Sequence, residues 1–93
     1  MRLDLFLKAS RLIVRRSLAQ EFCDAGMVKV NGKTAKSSKE IHQNDEIEIN
    51  RSHRRTTIKV LEIPEKKQVS KSEATELYQI ISENIIEDEI LDY

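Results

Sequence analysis

The chain is poor in the residues that build most active sites and most cross-linked scaffolds. It has one cysteine, Cys23, which cannot close an internal disulfide, and two histidines, His42 and His53. A zinc centre takes a full tetrahedral set of ligands at close paired spacings, and these residues are too few and too scattered for one. Gly26 and Gly32 are the only glycines, and neither is followed by Gly-Lys-Ser/Thr, which excludes a glycine-rich phosphate loop. Ser17 has no histidine in a plausible motif context, so no nucleophile pair stands out. With two Phe, two Tyr and no Trp among 93 residues, the core of a single domain is expected to be thin. No apolar run approaches the roughly 18 residues that a membrane span needs. Met1-Arg2-Leu3-Asp4 lacks the apolar core of a secretory signal. The expectation is a cytosolic protein with no cofactor, no metal and no catalytic centre, monomeric when free.

Charge is present in quantity and unevenly placed. The formal net charge is zero, yet residues 1–59 carry thirteen Lys/Arg against seven Asp/Glu, and residues 60–93 carry three against nine. A body at +6 joined to a tail at −6 suits a polyanion binder whose tail has a separate task. A solubilising tail beside ordinary surface lysines fits the same numbers.

The local pattern is α+β. Leu3, Phe6 and Leu7 recur at helical spacing and predict a short helix through Ala9. Ser10 to Arg16 reads as a basic connector, with Leu12 and Ile13 as core plugs. Ser17 to Gln20 fits a capping box that opens a second helix, with Leu18, Phe22 and Ala25 as its buried stripe and Gly26 as its stop. Val28-Lys29-Val30 alternates and runs into Asn31-Gly32, the pair that favours a tight hairpin turn. Ile41 is the expected anchor of an irregular stretch. Glu46–Asn50 and Thr57–Ile63 read as strands around a basic turn, Arg51 to Arg55, until Pro64 ends the ladder. Ser70-Lys71-Ser72-Glu73 is a second capping pattern, and Leu77, Ile80 and Ile81 predict a C-terminal helix to about Asn84. Residues 1–63 are expected to form the domain, and 64–93 a linker, that helix and an acidic tail.

Function concentrates near the N-terminus. Arg2, Lys8, Arg11, Arg15 and Arg16 place five cations within fifteen residues, four of them arginine. Guanidinium forks pair bidentately with phosphate oxygens and stack on exposed bases, so this composition suits an RNA backbone better than a merely solvated face. Lys29, Lys33 and Lys36, around the hairpin turn, either extend that face or are plain surface lysines. Arg51 to Arg55 is either a second contact patch or a solvated turn.

Arg2-Leu3-Asp4, Ser17-Leu18-Ala19, Gly26-Met27-Val28-Lys29-Val30-Asn31-Gly32, Ser37-Ser38 and Asp45-Glu46-Ile47 together resemble the S-four RNA-binding domain over residues 1–50. The resemblance implies two N-terminal helices packed on a small bent, mainly antiparallel sheet. Phe6-Leu7-Lys8, Ser10-Arg11-Leu12-Ile13 and Arg15-Arg16 make the chain similar to the stand-alone ribosome quality-control protein P family and to the related heat-shock protein fifteen. That likeness implies binding to the large ribosomal subunit and its rRNA, and to tRNA in obstructed peptidyl-tRNA complexes. It also implies support for C-terminal alanine tailing of stalled chains, alongside a tailing factor. It assigns Arg2 and Arg16 to RNA phosphates, with Lys8, Arg11 and Arg15 in support. Asp4 would orient an arginine or meet a ribose hydroxyl. Asn44-Asp45 departs from the family's usual Gly-Asp, though Asn tolerates the left-handed turn. The acidic end, Glu87 to Asp92, departs from the basic extension of heat-shock protein fifteen relatives and favours the quality-control family. A protein–protein adaptor and a messenger-binding regulator are the other readings the sequence leaves open.

Overall fold

The computed structural model describes residues 1–66 and 68–85. Two helices, α1 (Leu3–Ala9) and α2 (Arg16–Asp24), precede four strands, β1 (Val28–Val30), β2 (Lys33–Thr34), β3 (Glu46–Asn50) and β4 (Arg54–Val60). A single turn of helix, α3 (Lys71–Ala74), then leads into β5 (Tyr78–Ile85). The strands form one sheet in the order β2-β1-β3-β4-β5, and every pairing is antiparallel.

Period-two alternation builds the sheet's inner face. Val28 and Val30, Ile47 and Ile49, Ile58 and Val60 all point inward and are buried. They share one core with Leu3, Phe6 and Leu7 of α1, with Ile13, and with Ala19 and Cys23 of α2. Ile41 anchors the β2–β3 connection in that core as expected, and Leu77 closes it from the C-terminal side. Burying side chains of this size stabilises by about 1.5–3 kcal/mol each, before the entropy of ordering them is subtracted.

Backbone geometry confirms the punctuation. Gly26 closes α2 at φ +74°, and Asn31 and Gly32 make the hairpin turn at +52° and +83°. Asn44 takes the left-handed conformation at φ +75°, so it serves where the family's glycine stands. Asn31 also ties the turn to β3: its amide donates to Asp45 Oδ1 at 3.1 Å, and its Oδ1 accepts from the Glu46 amide at 3.0 Å.

Three expectations are corrected. Ser17 does not cap α2: the helix starts one residue earlier, Arg15 holds the cap position, and no side-chain cap is made. The buried stripe of α2 is Ala19 and Cys23, while Leu18 is 40% exposed and Ala25 faces water.

The C-terminal helix is the third. The Ser70 cap forms, with its hydroxyl accepting from the Glu73 amide at 3.2 Å, but the helix lasts one turn. Tyr78–Ile85 instead pairs along β4, which puts chain from both sides of Pro64 into the same sheet. Thr57 faces Ser82 while Ile58 faces Ile80, so Ile81 is an extra residue in a bulge. The bulge sets Ile80 and Ile81 side by side and mimics helical spacing in a strand. The acidic segment Glu87 to Asp92 lies outside the described residues.

Candidate nucleic-acid interface

The site is organised by a carboxylate. Asp4, in the first turn of α1, has no exposed surface. Its Oδ1 accepts from Arg2 Nε at 3.2 Å and from the Leu5 amide at 2.8 Å. Its Oδ2 accepts from Arg2 Nη2 at 3.4 Å, Arg16 Nε at 3.2 Å and Gln20 Nε2 at 2.9 Å. A buried anion is tolerated when it is paired and fully hydrogen-bonded. Burial alone would raise the Asp4 pKa. The bonds from Gln20, Arg16 and Leu5 and the charge of Arg2 outweigh burial and hold it below the ordinary value of 3.8.

The arginines are fixed on one edge and open on the other. The Arg2 and Arg16 side chains remain 43% and 44% exposed while their Nε atoms are bound to Asp4. Guanidinium donors beyond that edge can meet a phosphate bidentately, with the side-chain entropy already spent. Arg2 immediately precedes α1 and Arg16 opens α2, so one buried acid sets two cations from different helices at one place.

The β2–β3 connection completes that place. No side chain caps α1. Its first amides donate instead to backbone carbonyls of the connection, Leu3 to Lys39 at 2.7 Å and Asp4 to Ser37 at 3.1 Å. Lys36 directly precedes Ser37 in the chain. Lys33, Lys36 and Lys39 line a shared groove along the hairpin and the β2–β3 connection.

The other expected residues divide. Lys8 and Arg11 sit on a neighbouring groove with Val69, whose carbonyl accepts from Arg11 Nη2 at 3.3 Å. Arg15 is exposed at the start of α2, and among the described residues it makes no ion pair. Lys29 lies elsewhere: it alternates out from Val28 and Val30, on the sheet face away from the core, directly opposite Glu48. The expected turn Arg51 to Arg55 and strand Thr57–Ile63 are corrected too, since β4 begins at Arg54 and ends at Val60, and these arginines are largely occupied internally. Arg51 Nη2 donates to the Leu12 carbonyl at 2.6 Å, Arg55 Nε to Asn50 Oδ1 at 2.8 Å, and Arg54 pairs with Glu83 at 3.6 Å.

Sequence reasoning missed Gln20 as a member of the cluster. Its place one helical turn after Arg16, on the same face, is the signal that could have found it. Cys23 is buried, and its thiol is pushed up to about 11 by burial and by the nearby charges of Asp4 and Asp24. It is a neutral core group, far from a reactive thiolate. No group of His, Cys, Asp and Glu able to hold a metal occurs among the described residues.

Two helices carrying a carboxylate-locked arginine pair, set on a small antiparallel sheet with a basic hairpin, define an S4-type RNA-binding module. The family model for the S4 domain matches residues 1–47. An RQC P-site tRNA stabilizing factor of Streptococcus pneumoniae is 44% identical over 90 residues, covering 97% of this chain and 100% of that protein. A factor of the same name from Bacillus subtilis is 42% identical over 83 residues, covering 89% of this chain and 94% of that protein. Among solved structures, trimeric Heat Shock Protein 15 of Vibrio cholerae superposes with a TM-score of 0.79 at 33% identity, over 88% of this chain and 82% of that one. The chain belongs to the S4-domain family of RQC P-site tRNA stabilizing factors.

Proposed function

We propose that this chain is a non-enzymatic RNA-binding factor of bacterial ribosome quality control. It binds the large ribosomal subunit and the tRNA of an obstructed peptidyl-tRNA complex in the cytoplasm. By steadying that tRNA it supports addition of C-terminal alanine tails to the stalled chain by a separate tailing factor. The observation that carries this reading is the buried Asp4 carboxylate holding Arg2 and Arg16 with their outer guanidinium edges in solvent. Such an arrangement desolvates a carboxylate to fix two guanidinium groups whose outer edges stay open to a phosphate. The names of the relatives supply the cellular setting. Arg2 and Arg16 meet phosphates directly. Arg15, Lys8 and Arg11 flank them, Lys33 and Lys36 extend the face along the hairpin, and Lys29 joins only where RNA wraps around the sheet edge.

Sucrose-gradient sedimentation tests the reading. Wild-type protein co-migrates with the large subunit in dilute salt and is released as salt rises, because each neutralised phosphate frees counterions. Arg16→Ala loses a charge-assisted contact of about 1.5–3 kcal/mol, roughly tenfold to a hundredfold in affinity, and leaves the ribosomal peak. Absence of any wild-type peak at low salt refutes the assignment.

A further inference from the structure

An apolar groove of about 290 Å³ opens between the α1–α2 connector and α2 and reaches Arg15, the residue before Arg16. Leu12, Val14, Leu18 and Phe22 form its walls, with Arg15 and Arg51 at its rim. Val14 is 64% exposed and Leu18 40%, a branched aliphatic pair facing water within one groove. The groove is built before any ligand arrives: Arg51 is pinned by its 2.6 Å bond to the Leu12 carbonyl, and Phe22 packs its inner side on the core.

We infer that this groove receives a single unpaired nucleobase of the bound RNA. The inference rests on the RNA-binding reading above and deepens it. Continuity is the first argument. Arg15 lines the groove, and the next residue, Arg16, belongs to the Asp4 cluster, so a backbone phosphate held there carries its own base to the groove's mouth. Chemistry is the second. An unstacked base offers two apolar faces and a polar edge, which match aliphatic and aromatic walls with guanidinium groups at the rim. Size is the third. A stable protein partner buries roughly 800 Å² on each side, far more than this groove presents, whereas one ring system fits it. An acidic amphipathic peptide is the competing occupant.

The test uses the whole chain and two RNA hairpins of equal length and charge, one fully paired and one with a single bulged 2-aminopurine. Wild-type protein is expected to bind the bulged hairpin about tenfold more tightly, the scale of base stacking on protein side chains. The 2-aminopurine fluorescence should change on binding. Val14→Ser and Leu18→Ser, both at surface positions, should each abolish the preference and the fluorescence change. Their affinity for the paired hairpin and its salt slope should stay at wild-type values, which also reports an intact fold. Equal binding of both hairpins by wild type overturns the inference alone, as does a preference that survives both substitutions. A peptide that occupies the groove without displacing the bulged hairpin overturns it too. Wild-type protein that binds neither hairpin in dilute salt overturns the RNA-binding reading itself.

Discussion

Replacing Asp4 by asparagine sets two kinds of electrostatics against each other. The substitution removes a negative charge from a basic face, so a count of charges predicts tighter RNA binding. The geometry predicts the reverse. Oδ1 faces the Arg2 and Leu5 donors, and Oδ2 faces Arg2, Arg16 and Gln20. Whichever way the asparagine amide turns, its NH₂ meets at least two donors. Hydrogen bonds to a charged group contribute about 1.5–3 kcal/mol each, but the arginines are partly solvated and can turn to water, which discounts the loss. A destabilisation of about 2–4 kcal/mol follows. At ~4–8 °C per kcal/mol for a domain of this size, the melting temperature falls by roughly 8–32 °C. With the charge gone and at least one of the two arginines facing the asparagine NH₂ in either orientation, affinity for tRNA should drop about tenfold or more. The assay is fluorescence anisotropy over a salt series, well below the melting point, with circular dichroism to confirm the fold. A folded Asp4→Asn protein that binds as tightly as wild type, or more tightly, refutes the clamp.

Two further outcomes follow from the same geometry. Because the folded-state pKa of Asp4 lies below its ordinary 3.8, its contribution to stability is complete above that value and disappears as pH falls through the lower, folded one. Urea midpoints of wild type should therefore decline on acidification below about pH 5 more steeply than those of Asp4→Asn. Glu40, also lowered, declines in both proteins and cancels in the comparison, so parallel curves would contradict the assignment. Gly26→Ala should cost about 1–2 kcal/mol, entirely from the left-handed backbone, since the nearest atom to the added methyl, Thr34 Cγ2, is 4.0 Å away. An unchanged melting temperature would show that the turn relaxes freely.

Much of the architecture was legible because short-range rules decide it. The α1 stripe, the Asn31-Gly32 hairpin, the stop at Gly26 and the anchor at Ile41 each depend on a few neighbouring residues. What misled depends on distant partners. Leu77, Ile80 and Ile81 carry helical spacing, yet β4 offers a whole strand of unpaired backbone, and pairing by seven of the eight residues of β5 prevails over one capped turn. Ser17 and Gln20 read as a capping pair, but Gln20 is drawn to Asp4, sixteen residues upstream. For the candidate site, closeness along the chain grouped Arg2 and Arg16 with the other N-terminal cations, and Asp4 joined them only through family likeness. Their geometry emerges when the α1–α2 contact buries the carboxylate. Lys29 shows the opposite limit: closeness along the chain grouped it with Lys33 and Lys36, while strand alternation turns it to the far side.

The main-chain anchoring of α1 carries a lesson about tolerance to change. Since Ser37 and Lys39 hold the helix start by their carbonyl oxygens, the side chains at those two positions are free to vary without moving Arg2 or Asp4. Spacing is another matter. Adding or removing one residue between Thr34 and Ile41 would slide both oxygens out of reach, and the grip on RNA would be lost through the length of a loop with every one of its lysines kept.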